Sequence, residues 1–256
     1  MNRLQRLLID NRGKGIFRVD NKAANEATIY LYGAIVSDNF WGDGIAAIDF
    51  VKALAAIDAP TIHLRIDSPG GEVFAGQSMA QAIREHPANV IAHIDGLAAS
   101  AASWVALAAN EVVISPGGMV MIHQAQGIGF GNAGDLRETA DLLDKIDAVL
   151  LSGYASETGQ SEQQLAEWMA AETWFNAEEA VANGFADRVA STATSNRLTG
   201  WNLAAYDHAP APVIEPEPAA VPPAPTLSAA PPPAAEPVTN TDHLRRLLRL
   251  RELESA

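Results

Sequence analysis

"NVIAHIDGLAASAASWVALAANEVVIS", residues 89–115, sets two apolar strand patterns around a bend and a run of small residues. "NVIAHID" reads as a strand ending at Gly96, the alanine-rich segment as a buried helix, and "EVVIS" as the next strand. From Gly96 to Asn110 fifteen consecutive residues carry no charge, and most are no larger than alanine. A helix of that composition can pack closely beneath a sheet. Trp104 and Leu107 are its expected anchors, and Ser100 and Ser103 are its only hydroxyl groups.

The same alternation extends outward. "ATIYLYGAIV" (27–36) and "TIHLRID" (61–67) read as strands with the helical pattern "GIAAIDFVKALAAI" between them. "VFAGQSMAQAIREH" reads as a helix, "MVMIH" as a strand, and 133–157 as a long amphipathic helix. Helices follow from Glu162 to Met169 and from Ala177 to Asn183, before a final "FADRV". The expected fold is therefore α/β, with helices covering a largely parallel sheet.

Composition narrows the chemistry. Of 256 residues 48% are apolar, enough for a packed core, and 31 acidic against 17 basic residues give a formal charge of −14. Such a chain has no general affinity for nucleic acid or an anionic membrane. The absence of cysteine excludes disulfides, thiolate catalysis and cysteine metal sites, and the six histidines show no metal-ligand spacing. No metal or cofactor is expected. The N-terminal "MNRLQRLLIDNRGKG" has too short an apolar patch for a signal peptide, and the uncharged run falls short of the roughly 20 residues that span a bilayer. A cytoplasmic protein is expected.

Composition changes near residue 190. Ala209 to Asn240 hold eleven of the fifteen prolines, interleaved with alanine, which favours extended solvated chain over a core. The final "TNTDHLRRLLRLRELESA" can form a short helix capped by Asn240 or Thr241, with leucines 244, 247, 248 and 250 on one side and arginines around them. It reads either as a frayed tail or as a docking helix. The expected boundaries are an N-terminal extension (1–26), a folded α/β domain (27–190), a flexible Pro/Ala linker (191–240) and a basic amphipathic helix (241–256).

Three loops carry candidate chemistry. "IDSPGGEV" (66–73) joins a strand to a helix, and Gly70 and Gly71 allow a tight backbone with outward N–H groups; taken alone it is a structural turn. "GLAASAAS" (96–103) places Ser100 where a strand ends and a helix begins, as a cap or as a nucleophile beside a helix N-terminus. Ser103, one turn on, is expected to pack or to bond back to the helix. "GIGFGN" (127–132) is a weak dinucleotide signal, because its glycines follow G-x-G-x-G.

Together, "IDSPGGEVFAG", "IDGLAASAAS", "VMIHQ" and "ETWFNAEEAVANGFADRV" resemble, in order and spacing, the proteolytic subunit of the caseinolytic (Clp) protease, and more closely the ClpP-like head maturation proteases of tailed bacteriophages. The resemblance runs from about Ala27 to Val189. It implies a ClpP/crotonase-like spiral of βαβ units with a protruding handle helix, followed by the disordered tail and short terminal helix. It also implies a serine endopeptidase with Ser100 as nucleophile, His123 as general base, and the amides of Gly71 and Ala101 as oxyanion hole. Aligning on Glu179, Ala180, Val181 and Gly184 puts Glu172 where the family has an aspartate; a surface carboxylate is the other reading. Peptide would lie extended along Gly70, Gly71, Glu72 and Val73 and along Gln124 and Ala125. The 126–159 stretch matches the family's handle, whose glycines are a flexible loop or part of an oligomer contact. Its Leu136, Leu142, Leu143, Ile146 and Leu150 would bury against their own core or a second subunit, and homo-oligomeric rings are the favoured outcome.

The leading expectation is ATP-independent cleavage of capsid or scaffold protein in the host cytoplasm, inside the procapsid. The alternative is a Clp subunit fed by a separate ATP-driven unfoldase, since the chain has no G-x-x-x-x-G-K-[ST] motif. A crotonase-type acyl-CoA enzyme and a Ser-Lys dyad using Lys145 fit less well, and an inactive scaffold is the reading outside the enzymes.

Overall fold

The computed structural model describes residues 3–23, 25–39, 44–191 and 200–210, the side chains of 21–23 excepted. The chain divides into Met1–Ile214 and Glu215–Ala256; the second unit, including the expected terminal helix, lies outside the described residues.

In chain order the elements are α1 (Arg3–Asp10), β1 (Ile16–Ala23), β2 (Glu26–Tyr32), β3 (Ile35–Val36), β4 (Ile45–Ala46), α2 (Ala47–Ala55), β5 (Thr61–Ser68), α3 (Val73–Glu85), β6 (Asn89–Ala99), α4 (Ala101–Ala106), β7 (Glu111–Ile114), β8 (Met119–Ile122), α5 (Ala133–Thr158), α6 (Glu162–Ala170), β9 (Thr173–Phe175), α7 (Ala177–Ala182) and β10 (Arg188–Val189). The main sheet runs β1-β2-β5-β6-β7-β10, with β8 joining β6 to β9. Its pairs are parallel except β1 with β2 and β8 with β9. The expected α/β architecture is the one observed.

Strand β6 positions the site. Its first half, Ile91–Ile94, pairs with β7, and its last residues, Leu97–Ala99, pair with β8. One strand thus passes from one part of the sheet to another and delivers residue 100 beside the end of β8. Alternate residues of β2 and β5 are buried, placing Ile29, Leu31, Ile62, Leu64 and Ile66 in one core with Phe50 of α2 and Met79 of α3. Every residue of α4 is buried, as its small side chains require. Trp104 packs edge-on to Tyr154 of α5, and a Cβ on Gly153 would come within 1.9 Å of its indole. Close approach of the handle helix therefore depends on that glycine.

Two boundaries are corrected. Residues 16–23, assigned to an N-terminal extension, form β1 and belong to the sheet. Residues 200–210, assigned to the linker, pack on the sheet instead: Trp201, Leu203 and Tyr206 cover Leu97, Ala99 and Met121. Those three apolar side chains give this stretch an anchor that Pro/Ala sequence lacks. Smaller differences concern 27–36, which splits at Gly33–Ala34 into β2 and β3, and the helix expected from 44, which starts at Ala47 because Ile45 and Ala46 pair with Ile35 and Val36.

Candidate active site

Ser100 turns the chain between β6 and α4 at φ 52° and ψ −123°. Among the described residues only Ser100 and Glu172 combine a side chain with positive φ. Such conformations cost about 1–3 kcal/mol and persist where their surroundings enforce them. Here the Ser100 N–H donates to Met121 O at 2.8 Å, and its carbonyl accepts from the Ser103 N–H at 3.0 Å and from Ser103 Oγ at 2.7 Å. Ser103 Oγ also shares a 2.8 Å hydrogen bond with the Tyr154 hydroxyl. Of its two expected roles, Ser103 does bond back to the helix. The Ser100 side chain makes no capping bond to α4. Its Oγ lies 2.8 Å from His123 Nε2.

His123 follows β8, and the pairing of Met121 with Ala99 sets it beside Ser100. Burial pushes its pKa below the usual 6.5; the Glu172 charge opposes this, and Arg3 reinforces it. A neutral imidazole whose Nε2 accepts from Ser100 carries its proton on Nδ1, and that atom is buried without a hydrogen-bond partner among the described residues. Only the neutral ring can accept the Ser100 proton, and burial disfavours the charged ring. Activity is therefore expected to survive below pH 6.5 and to fall only as the lowered pKa is passed. A kcat/KM profile on a peptide checks this; an acid limb centred near pH 7 would contradict it.

The Ser-Pro-Gly-Gly turn after β5 forms an isolated bridge to β3: Ile35 N–H donates to Gly70 O at 2.8 Å and Glu72 N–H to Ile35 O at 2.9 Å. This pattern directs the intervening Gly71 N–H away from β3. Ser68 Oγ donates to Gly33 O at 2.6 Å and accepts from Gly70 N–H at 3.1 Å, tightening the turn. Gly70 and Gly71 have φ of 86° and 153°, and a Cβ on Gly71 would stand 2.0 Å from Ile35 O. Ala101, first in α4, has no intrahelical partner for its N–H. Gly71→Ala is thus expected to displace the turn and lower kcat by about 10² to 10³. Unaltered kcat in this variant would remove Gly71 from the reaction.

Gly71, Glu72 and Val73 on one side and Gln124 and Ala125 on the other line a single cavity with Ser100, Ala101 and His123. Gly70 lies behind it, holding the turn. The glycine-rich stretch runs along α5, with Gly127 and Gly129 close to Leu143 and Leu136, and Ala125 N–H donates to Asp147 at 2.7 Å.

Glu172 is brought near but not into contact with His123. Its buried carboxylate accepts from the backbone N–H groups of Asp207 (3.0 Å) and His208 (2.7 Å) and from Trp174 Nε1 (3.4 Å), with Arg3 Nη1 at 3.7 Å. Sequence reasoning missed Arg3, Tyr206, Asp207 and His208. The only signal was the aromatic and leucine content of 201–206 ahead of the prolines.

A sequence model described as Clp protease matches residues 11–193. The chain belongs to the Clp protease family. The structure is similar to that of a mutant of ClpP1 from Listeria monocytogenes, with a TM-score of 0.57 and 25% identity over 64% of this chain and 91% of that one. The protein is accordingly a serine-type endopeptidase with the ClpP fold. As a Clp protease it acts on protein substrates, and the family forms homo-oligomeric rings. Among the described residues no three or more His, Asp or Glu side chains cluster as a metal site would require, and no helix is long and apolar enough to cross a membrane.

Proposed function

We propose that this Clp-family peptidase cuts capsid or scaffold protein during phage head maturation without ATP, using Ser100, His123 and Glu172. The observation carrying this reading is the C-terminal quarter: beyond the ClpP-like part, the chain continues into a Pro/Ala-rich stretch and an arginine-leucine segment suited to tethering. Incubating the full chain with capsid and scaffold proteins in the absence of nucleotide tests it. Discrete cuts support the proposal, whereas cleavage that needs an added ATP-driven unfoldase establishes the alternative, a Clp proteolytic subunit.

In the proposed chemistry, peptide lies extended between Gly71–Val73 and Gln124–Ala125, bound mainly through its backbone. Ser100 Oγ attacks the scissile carbonyl while its proton passes to His123 Nε2, 2.8 Å away. The Gly71 and Ala101 N–H groups donate to the oxyanion. His123 then protonates the leaving amine, and water hydrolyses the acyl-enzyme with His123 again as base. Glu172 offsets the imidazolium charge, the sense in which it raises the His123 pKa.

The same reading assembles rings through the handle. Ile146 and Leu150 pack on their own core, while Leu136, Leu142 and Val149 of α5 stay about half exposed and Phe130 is 84% exposed. Pairing Phe130→Asp with Leu142→Asp is expected to shift the assembly to smaller species in sedimentation velocity. An unchanged mass would place the interface elsewhere.

A further inference from the structure

Residues 201–208 lie beyond the family match, which ends at 193, yet they touch three parts of the candidate site. The Tyr206 hydroxyl donates to Pro69 O at 2.6 Å, within the turn that presents the Gly71 N–H. Its ring stands edge-on to His123, with centroids 5.6 Å apart. The next two amides, of Asp207 and His208, hold the two oxygens of Glu172.

The segment is itself fixed at both ends. Trp201 Nε1 donates to Asp67 at 2.9 Å. Buried Asn11, just after α1, clips Asn202 in both directions, accepting from its N–H at 2.7 Å and donating to its carbonyl at 2.9 Å. Arg3 pairs with Asp207 and reaches Glu172. The apolar faces of Trp201, Leu203 and Tyr206 close the underside against Leu97, Ala99 and Met121.

We infer that Trp201–His208 is a built-in brace of the active site, with Tyr206 the positioning residue that locks the oxyanion turn and His123 while the following amides aim Glu172. This rests on the proposed roles of Ser100, His123, Glu172 and Gly71. A brace fits better than a lid: Ser100 and His123 remain partly exposed, and Tyr206 shares the lining of the cavity with them. Burial raises the Tyr206 pKa above its usual value, so the phenol stays protonated and able to donate.

Tyr206→Phe and His208→Pro in the full chain test the inference. The first deletes the hydroxyl's bond to Pro69 and its side-chain interaction with Ser100 and keeps the ring; the second deletes one amide donor to Glu172. Each is expected to lower kcat about three- to tenfold with KM unchanged. His208→Pro should also shift the acid limb of the kcat profile, because the Glu172 charge bears on His123. A rise in activity would show a lid and overturn the brace. Unchanged kcat and pH profile, with only a lower Tm, would reduce the segment to packing and overturn it as well. Titration of the wild type with a fluorophosphonate separates the levels: no adduct at Ser100 removes the underlying site and the brace with it, whereas full labelling with unaffected variants removes the brace alone.

Discussion

Ser100→Ala is expected to lower kcat by at least about 10⁴-fold while the protein remains folded, since loss of a serine nucleophile leaves only binding and oxyanion stabilisation. The substitution also tests the backbone. Alanine shares the unfavourable φ of 52°, and the bonds enforcing it come from the Ser100 N–H and carbonyl rather than from Oγ. The fold should therefore keep its Tm within a few degrees, as expected when a change of about 1 kcal/mol or less is involved. Residual turnover within tenfold of wild type would show that another group attacks.

Glu172→Gln carries the second large effect, a loss in kcat of up to about 10⁴, the drop that follows when the acid of a serine triad becomes its amide. Two causes combine. The negative charge that favours the His123 imidazolium disappears. The new amide NH2 also presents donors where the carboxylate accepted from the Asp207 and His208 N–H groups, so one donor must turn away. Glu172→Asp should recover part of the activity, restoring the charge on a shorter arm. Steady-state kinetics of both variants decide the point, and equal turnover in wild type and Glu172→Gln would exclude Glu172 from the reaction.

The parts of the molecule legible in the sequence are those with local signals. Alternating burial in β2 and β5, the small residues of α4 and the punctuation at Gly70–Gly71 each leave a pattern within about ten residues of chain. The placement of Ser100 beside His123 was legible through the order and spacing of four motifs, although no one of them was specific. What escaped was long-range. Arg3 with Glu172, Asn11 with Asn202 and Tyr206 with Pro69 join residues far apart in the chain, and no periodicity records such pairs. The two-residue strands β3 and β4 are too short to show alternation. The proline-rich composition after residue 209 also masks the apolar signal of Trp201, Leu203 and Tyr206.

The physical reason that the site is stiff lies in α4. Its buried face meets α3 where a Cβ on Gly76 would contact Ala101 Cβ at 3.0 Å, and Trp104 closes against the handle helix. Behind the candidate nucleophile, Ser103 holds the Ser100 carbonyl and is itself held by Tyr154, which ties the bend to both α4 and α5. Preorganisation of this kind lets backbone N–H groups stabilise charge without reorganising during the reaction.

Mapping the adduct of a fluorophosphonate by mass spectrometry, in the wild type and in His123→Ala, tests the Ser100–His123 pair most directly. The geometry predicts one modified residue, Ser100, formed rapidly in the wild type and slowed by orders of magnitude without the imidazole. Modification of Ser103 or another serine, or an unlabelled protein that still cleaves peptides, would contradict it.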